Sequence, residues 1–277
     1  MTIPAERRPD SPAFAMVVSR LRAAGCVFAE DEALLLLSES SSPAELAEWV
    51  ARRVAGMPLE YILGWAEFCG LRIGVAPGVF VPRRRTELLV SEAADLLQHG
   101  LTTELGQRPG VVVDLCCGSG AVGVAIASQV PGVELHAADI DPIAVGCARQ
   151  NVVRVGGQVH RGDLYGALPV SLRGRVQLVA ANAPYVPTEA LRTMPPEARH
   201  YEPRVSLDGG LDGLDLHRRV VREAAEWLAP GGHLLIETSG LQRTGTAALM
   251  TDAGFVARTV RSEELDGTAV IGSRRAA

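Results

Sequence analysis

The chain has 277 residues, a hydrophobic fraction of 47% and a formal net charge of −5 at pH 7. These values exclude wholesale disorder and suit one large domain with a smaller one. The 27 basic residues, all arginine, are outnumbered by 32 acidic residues, which argues against a general nucleic-acid binder and leaves no lysine for catalysis. The five cysteines follow no zinc spacing, so we predict no metal site and expect a reduced, cytoplasmic protein.

Neither of the two stretches that could be targeting or membrane segments has the required sequence. Residues 1–10 carry charged side chains with no apolar block behind them, so we expect no signal peptide. The uncharged stretch 115–133 approaches the length of a membrane span but contains several glycines and a proline. We expect a loop followed by a buried helix there, and no contact with a membrane.

Residues 1–60 are predicted to form a small helical domain. Ser11 and Ser42 each precede a proline, an arrangement typical of helix starts. Glu45, three residues after Ser42, is predicted to complete a capping box. A shorter helix is centred on residues 34–37, and the helix that begins after Ser42 is predicted to bury one apolar face. That face consists of Leu46, Val50 and Val54.

Residues 61–82 are predicted as a β-hairpin linker, and residues 83–277 as the larger domain. Short β-rich runs at 61–64, 71–75 and 79–81 are separated by turn residues. Helical spacing returns over residues 86–98, the first element of the larger domain.

From about residue 108 the pattern alternates between strands and helices. This alternation predicts an α/β fold with a mostly parallel sheet covered on both faces. The last two strands are too close for a helix between them and predict a terminal antiparallel hairpin. The predicted strands are 111–115, 134–138, a short one around Val159, 176–181, 233–237, 255–260 and 268–271. The predicted helices are 121–128, 142–152 and 214–228.

A glycine-rich turn, residues 114–120, lies between the first of these strands and the next helix. Glycines allow a sharp turn and close approach of a ligand to the main chain. The pattern matches neither the dinucleotide-binding nor the phosphate-loop motif, and it resembles the S-adenosylmethionine loop of class I methyltransferases. The resemblance implies that the cofactor is held by Asp114, Cys116, Cys117, Gly118, Ser119 and Gly120.

Two further acidic positions follow in the order that such a cofactor site requires. Asp139 ends the next strand, where a carboxylate can accept hydrogen bonds from both ribose hydroxyls, and Ile140 follows it in the same site. Asp141, before a proline, is interpreted as a helix cap. Asp163 is predicted to accept a hydrogen bond from the adenine amine, while Leu164 covers the ring face.

The most informative segment is Asn182-Ala183-Pro184-Tyr185, directly after the predicted strand 176–181. It resembles the Asn-Pro-Pro-Tyr signature of enzymes that methylate planar nitrogen. An amide nitrogen is a poor nucleophile because its lone pair is delocalised. The Asn182 side-chain oxygen and a main-chain carbonyl can accept both of its N–H bonds and orient it toward a methyl donor. Tyr185 can stack on the planar group, and Pro184 holds Ala183 extended.

Other segments resemble those of the HemK/PrmC-type protein-(glutamine) N(5)-methyltransferases. They are residues 56–64, 81–87, 202–203, 209–214 and 235–237, with Gln242. The resemblance implies a Rossmann-like class I methyltransferase domain behind a helical domain that docks a protein substrate. It also places Thr86 and Glu87 near the methionine end of the cofactor, and counts Asn182 among the cofactor-binding residues as well as the catalytic ones. The implied acceptor is the glutamine of the Gly-Gly-Gln loop in a peptide chain release factor, or a ribosomal protein glutamine, and we expect a monomer.

Two other functions remain open from the sequence. An adenine-amine methyltransferase on DNA or RNA shares the same loop chemistry, but the acidic composition and the lack of a basic recognition domain disfavour it. A cofactor-binding paralogue with weak or no catalysis is the other, because Ala183 stands where the family has proline. An arginine-rich patch that could contact RNA is interpreted as an exposed face. It consists of Arg83, Arg84, Arg85, Arg218, Arg219 and Arg222.

Overall fold

The computed structural model describes residues 11–103 and 110–275. The prediction that residues 1–10 form no signal peptide concerns residues outside this part. The helices are α1 (Pro12–Ala23), α2 (Ala29–Glu39), α3 (Pro43–Val54), α4 (Leu59–Leu63), α5 (Glu87–Thr103), α6 (Ala121–Gln129), α7 (Pro142–Val152), α8 (Pro196–Tyr201), α9 (Asp215–Trp227) and α10 (Arg243–Asp252). The strands are β1 (Trp65–Phe68), β2 (Leu71–Gly74), β3 (Val111–Leu115), β4 (Glu134–Asp139), β5 (Gln158–Arg161), β6 (Val176–Ala181), β7 (Leu228–Glu237), β8 (Val256–Ser262) and β9 (Gly267–Ser273).

The amino-terminal helices begin where the capping residues predict. The Ser11 hydroxyl accepts the Phe14 N–H at 3.2 Å, and the Ser42 hydroxyl accepts the Glu45 N–H at 3.2 Å. The capping box itself is displaced by one residue, because the Glu45 carboxylate accepts from the Ser41 N–H at 2.6 Å. Helices α1 to α3 share a core of their own, although Val54, predicted to be part of the apolar face, is exposed.

The predicted linker is partly wrong in its elements. Residues 61–63 belong to helix α4, which starts directly after Pro58, and Gly64 caps that helix, so no strand forms there. The hairpin is formed by β1 and β2, with Phe68 opposite Leu71. Residues 79–81 form no strand, although Val79 and Val81 are both buried. Tyr61 and Ile62 are buried in separate apolar clusters, so packing against neighbours overrides their preference for strands.

Strands β3 to β9 form one seven-stranded sheet in the order β5-β4-β3-β6-β7-β9-β8. The first five strands in this order are parallel, and β9 is antiparallel to both β7 and β8, which confirms the predicted sheet and terminal hairpin. In the register, Leu115 pairs with both Ala138 and Ala181. The carboxyl ends of β3, β4 and β6 therefore meet at one edge, where the chain order changes direction and ligands bind in open α/β sheets.

Helices cover both faces of the sheet. One face packs on α5, α6 and α7, and the other on α9, α10 and the turn at 164–167. Along β3, Val112 belongs to the first core and Val111, Val113 and Leu115 to the second, as the two-residue period of a strand requires. Helix α10 was not predicted from the sequence. The uncharged stretch forms a loop and the buried helix α6, as expected, and no helix among the described residues is long and apolar enough to cross a membrane.

Candidate active site

A cavity of about 680 Å³ opens at the carboxyl ends of β3, β4 and β6. It brings together most residues that the sequence singles out, from five separate parts of the chain. The predicted residues that line it are Thr86, Asp114, Cys116, Cys117, Gly118, Ser119, Asp139, Ile140, Asp163, Leu164, Asn182, Ala183, Pro184 and Tyr185. Across residues 11–103 and 110–275, no group of three His, Cys, Asp or Glu side chains is arranged to hold a metal ion.

Glu87 and Gly120 are not among the lining residues. The Glu87 carboxylate accepts the Cys69 N–H at 3.1 Å, so it ties α5 to the β1–β2 turn. Gly120 caps α6 with a φ of +77°, and a Cβ there would lie 2.8 Å from a methyl group of Val152. The glycine is therefore required by backbone conformation and by helix packing.

The glycine-rich turn is held against β4 by hydrogen bonds that its backbone N–H groups donate. The Cys117 N–H donates to the Ala138 carbonyl at 3.1 Å, and the Gly118 N–H donates to Asp139 Oδ2 at 2.9 Å. Burial raises the pKa of the Cys116 and Cys117 thiols, as expected of packed rather than redox-active cysteines.

Asp139 lines the cavity, and its carboxylate accepts hydrogen bonds from two backbone N–H groups. Its Oδ1 accepts the Asp141 N–H at 2.9 Å, while Oδ2 accepts from Gly118. Each carboxylate oxygen can accept a second hydrogen bond, so this geometry leaves acceptors for two ribose hydroxyls. Burial raises the Asp139 pKa, and the two backbone N–H groups oppose that rise. Asp141 caps α7 as predicted, because its Oδ1 accepts the Ile143 N–H at 2.8 Å.

Asp114 lies beneath the turn and is 2% exposed. Its Oδ2 accepts the Gly123 N–H at 2.8 Å, which joins the end of β3 to helix α6. Burial raises the pKa of Asp114 from 3.8 to about 7, with a smaller contribution from the charge of Asp139.

Asp114→Asn is expected to stabilise the free protein more at pH 8 than at pH 5. Between the unfolded pKa of 3.8 and the folded pKa of about 7, the folded state holds a proton that the unfolded chain has lost. Stability therefore falls as pH rises through this window and levels off above it. We expect the substitution to raise the melting temperature more at pH 8 than at pH 5, by at least about 2–4 °C. A shift of this size corresponds to a change of about 1 kcal/mol in the free energy of unfolding for a protein of this length. Equal gains at both pH values would contradict the assignment.

The part of the cavity around Asp163 contains one residue that was not predicted to belong to the site. Arg219 of α9 was interpreted as exposed helix surface, but it pairs with Asp163 at 2.6 Å and lines the cavity. The carboxylate of Asp163 remains half exposed, so it still has acceptor capacity toward the cavity. Leu164 is buried beside it.

The loop 182–185 leaves β6 and is held by a polar cluster. The Asn182 Nδ2 donates to the Thr86 hydroxyl at 3.3 Å. The Tyr185 hydroxyl donates to Glu237 Oε1 at 3.0 Å and accepts from Arg85 Nε at 3.2 Å. Burial raises the pKa of the Tyr185 phenol, which therefore stays protonated at neutral pH.

The backbone of the same loop is locked by residues 209–213. The Gly209 N–H donates to the Val186 carbonyl at 2.8 Å, and Gln242 Nε2 donates to the Tyr185 carbonyl at 2.8 Å. A Cβ on Gly213 would lie 2.3 Å from the Tyr185 carbonyl oxygen, and Gly213 has a φ of +75°. Glycine is needed there because two segments of backbone meet without room for a side chain.

The arginines of the suspected RNA patch are all paired with acidic side chains. Each pair, including the exposed ones, reduces the positive charge that would be needed to bind a phosphate backbone. The pairs are Arg83–Glu202, Arg84–Glu264, Arg85–Glu237, Arg218–Asp212, Arg219–Asp163 and Arg222–Glu223.

The chemistry of the cavity fits S-adenosylmethionine. Backbone turns at 116–120 leave room for a ligand against the main chain, and Asp139 offers acceptors to a ribose. Seven acidic and four basic side chains line the cavity, which favours a cationic ligand such as a sulfonium. Ile140 and Leu164 supply apolar surface for a base.

Comparison with known proteins places these features in context. A family model, the methyltransferase small domain, matches residues 71–194. The release factor glutamine methyltransferase of Geobacter sulfurreducens is 39% identical over 219 residues, covering 77% of this chain and 73% of that protein. The enzyme of the same name from Streptomyces coelicolor is 40% identical over 195 residues, covering 70% of this chain and 67% of its own.

A third relative is named for a different activity. The 4-amino-L-phenylalanine/4-methylamino-L-phenylalanine methyltransferase of Streptomyces pristinaespiralis is 37% identical over 212 residues, covering 76% of this chain and 71% of that protein. Among solved structures, a methyltransferase from Pyrococcus furiosus superposes with a TM-score of 0.54 at 16% identity, covering 83% of this chain and 99% of that one. This likeness confirms the predicted class I methyltransferase fold.

Proposed function

The chain belongs to the family of release factor glutamine methyltransferases, and we propose that it methylates a glutamine side-chain amide nitrogen in a peptide chain release factor. Its cofactor is S-adenosylmethionine. The observation that carries the proposal is the position of Asn182, which lies at the edge of the cofactor cavity with its amide nitrogen bonded to Thr86. This arrangement leaves the side-chain oxygen free to accept an N–H from the acceptor amide.

The proposed roles of the chain's residues follow from the chemistry of an amide. Asn182 Oδ1 and a main-chain carbonyl of the loop accept the two N–H bonds and orient the nitrogen, which is most of what a poor nucleophile needs. Tyr185, held by Glu237, forms one wall for the planar group. S-adenosylmethionine, when bound, supplies an already activated methyl group, so the loop needs to provide orientation rather than a metal or a base.

The cofactor roles proposed for the cavity residues are those of the predicted site. Asp139 accepts from the ribose hydroxyls, and Leu164 and Ile140 contact the adenine. Asp163 accepts from the adenine amine while it stays paired with Arg219. The glycine-rich turn 116–120 faces the remainder of the cofactor.

The charges in the cavity favour a protein acceptor over a nucleic acid. All four lining arginines pair with carboxylates: Arg83 with Glu202, Arg85 with Glu237, Arg204 with Asp208 and Arg219 with Asp163. A nucleic-acid acceptor would bring several phosphates that need unpaired cations, and the described lining offers none. A glutamine within a peptide brings no such charge.

The amino-terminal residues are proposed as the docking domain, with boundaries at 60 and 82. The apolar core of α1 to α3, to which Ile62 of α4 also contributes, supports a separate helical unit at the amino-terminal end. Arg53 of α3 pairs with both Glu32 and Glu197, and Glu197 lies in the segment that leads into the cavity wall at 202–208. A protein bound to these helices would therefore contact an element continuous with the site.

An acceptor comparison tests the proposal. The protein is incubated with labelled S-adenosylmethionine and, separately, with a release factor, 4-amino-L-phenylalanine and an unmodified DNA duplex. We expect label in the release factor alone. Label in the amino acid or the DNA, with none in the release factor, would overturn the proposed substrate.

Ala183→Pro is expected to preserve the fold and leave the substrate class unchanged. Pro184 already restricts Ala183 to extended backbone, so a proline is compatible there. Stiffening the unfolded chain should add about 0.4–1 kcal/mol to the free energy of unfolding. Melting temperature and methyl transfer to a release factor are measured for both forms. A large rise of that activity in the proline form alone would identify Ala183 as a specificity determinant.

A further inference from the structure

The side-chain amide of Asn182 has two chemically different ends, and only one of them serves the proposed reaction. The oxygen can accept a hydrogen bond from the N–H of the amide that is to be methylated. The NH2 group would instead place its own N–H donors against those of that amide. A rotation of the amide by half a turn would exchange the two ends with little change in shape. Something in the structure must therefore select one orientation.

Thr86 is placed to make that selection. It ends a single turn of 3₁₀-helix directly before α5 and is 2% exposed. Its hydroxyl oxygen lies 3.3 Å from Asn182 Nδ2. A hydroxyl carries one proton, however, and could in principle either donate to Asn182 or accept from it.

Glu237 removes this ambiguity. It ends β7 with a side chain that is 3% exposed, and its carboxylate accepts from the Tyr185 hydroxyl. Its second oxygen, Oε2, is buried and has no hydrogen-bond partner among the described residues, so it needs a donor. The Thr86 hydroxyl is close enough to lower the Glu237 pKa, which burial raises. The ion pair with Arg85 at 3.4 Å favours the ionised carboxylate. An ionised carboxylate can only accept, so the Thr86 proton is directed toward Glu237 and a lone pair is left for Asn182.

We propose that Thr86 is a positioning residue that fixes the Asn182 amide with its nitrogen away from, and its oxygen toward, the acceptor nitrogen. The hydrogen bonds run in one direction, from the Asn182 amide to the Thr86 hydroxyl to the Glu237 carboxylate. The effect of this role on catalysis rests on the proposed function, whereas the orientation of the Asn182 amide does not depend on that function. It differs from a contact with the methionine end of the cofactor, which the family resemblance implies for Thr86.

The test uses the full chain and two variants of similar size. Thr86→Val removes the hydroxyl and keeps the shape, whereas Thr86→Ser keeps the hydroxyl. With a release factor as acceptor, the valine variant should lose on the order of 10- to 100-fold in kcat, with KM little changed, because orientation is felt in the transition state. The serine variant should recover most of the rate. Calorimetry should show the same affinity for S-adenosylmethionine in all three forms.

A second measurement needs no catalysis. The side-chain NH2 signals of Asn182, assigned by their loss in Asn182→Ala, are followed by NMR in the cofactor-bound protein. Hydrogen exchange of these protons should be slow in the wild type and in Thr86→Ser, and faster in Thr86→Val. Equal exchange in all three forms, or a valine variant with wild-type kcat, would overturn the inference. A valine variant that loses cofactor affinity would instead assign Thr86 to the cofactor.

The two measurements separate the inference from the function on which it builds. If the wild type fails to methylate a release factor, the proposed function falls, and the exchange of the Asn182 amide still decides the role of Thr86. If the wild type is active and the variants do not differ, only the inference falls. Melting temperatures of the three forms identify any variant that is merely unfolded.

Discussion

Replacing Asn182 by alanine is expected to abolish methyl transfer, a loss of at least about 100- to 1000-fold in the single-turnover rate, comparable to removal of a preorganised polar group in other enzymes. The variant loses the acceptor that orients the amide nitrogen, an interaction that matters mainly in the transition state. Cofactor affinity should stay near that of the wild type, because the residues proposed to hold the ribose and adenine lie on β4 and after β5.

Calorimetry with S-adenosylmethionine is the control for this variant, together with its melting temperature. A folded Asn182→Ala protein that binds cofactor and is inactive would place the residue on the acceptor side. Wild-type single-turnover rates would show that the loop 182–185 is not the acceptor site, and a cofactor-binding protein without catalysis through this loop would become the better description.

Asp139→Ala is expected to weaken S-adenosylmethionine binding by about 2–3 kcal/mol, since two charge-assisted hydrogen bonds to the ribose are lost. The same change also frees the Gly118 and Asp141 N–H groups, so the glycine-rich turn loses an anchor as well. Isothermal calorimetry measures the affinity.

Asp141→Ala is the matched control, because it lies two residues away and removes a carboxylate that accepts the Ile143 N–H. It should reduce stability by about 1 kcal/mol through the lost helix cap, with little change in affinity. If Asp139→Ala bound the cofactor as tightly as the wild type, Asp139 would have no part in the site.

The regular parts of the fold could be predicted because each was encoded locally. The alternation after residue 108 predicts the parallel sheet, and the serine and aspartate caps at positions 11, 42 and 141 mark where helices begin. Helix α4 was predicted as a strand because Tyr-Ile-Leu favours strands on propensity alone, and its burial in two apolar clusters is a tertiary property. Helix α10 has only weak apolar spacing, with threonines and a glycine in its first turns.

In the site, too, the residues marked by local sequence could be predicted, and those placed by tertiary packing could not. Asp114, Asp139 and Asn182 could be found because each lies at the carboxyl end of a strand, and parallel strands bring those ends to one edge. The orientation of Glu87 away from the cavity and the Arg219–Asp163 pair depend on how helices pack on the sheet. Glu237 also ends a strand, and that signal could have marked it as a member of the site.

The central claim is that this cavity delivers a methyl group to the side-chain nitrogen of a glutamine. Tandem mass spectrometry of a release factor, incubated with the protein and isotopically labelled S-adenosylmethionine, tests it most directly. We expect a single added methyl group, located by fragmentation on one glutamine side chain, and none with Asn182→Ala. A methyl group located on any other residue type, or equal labelling by the Asn182→Ala protein, would contradict the account.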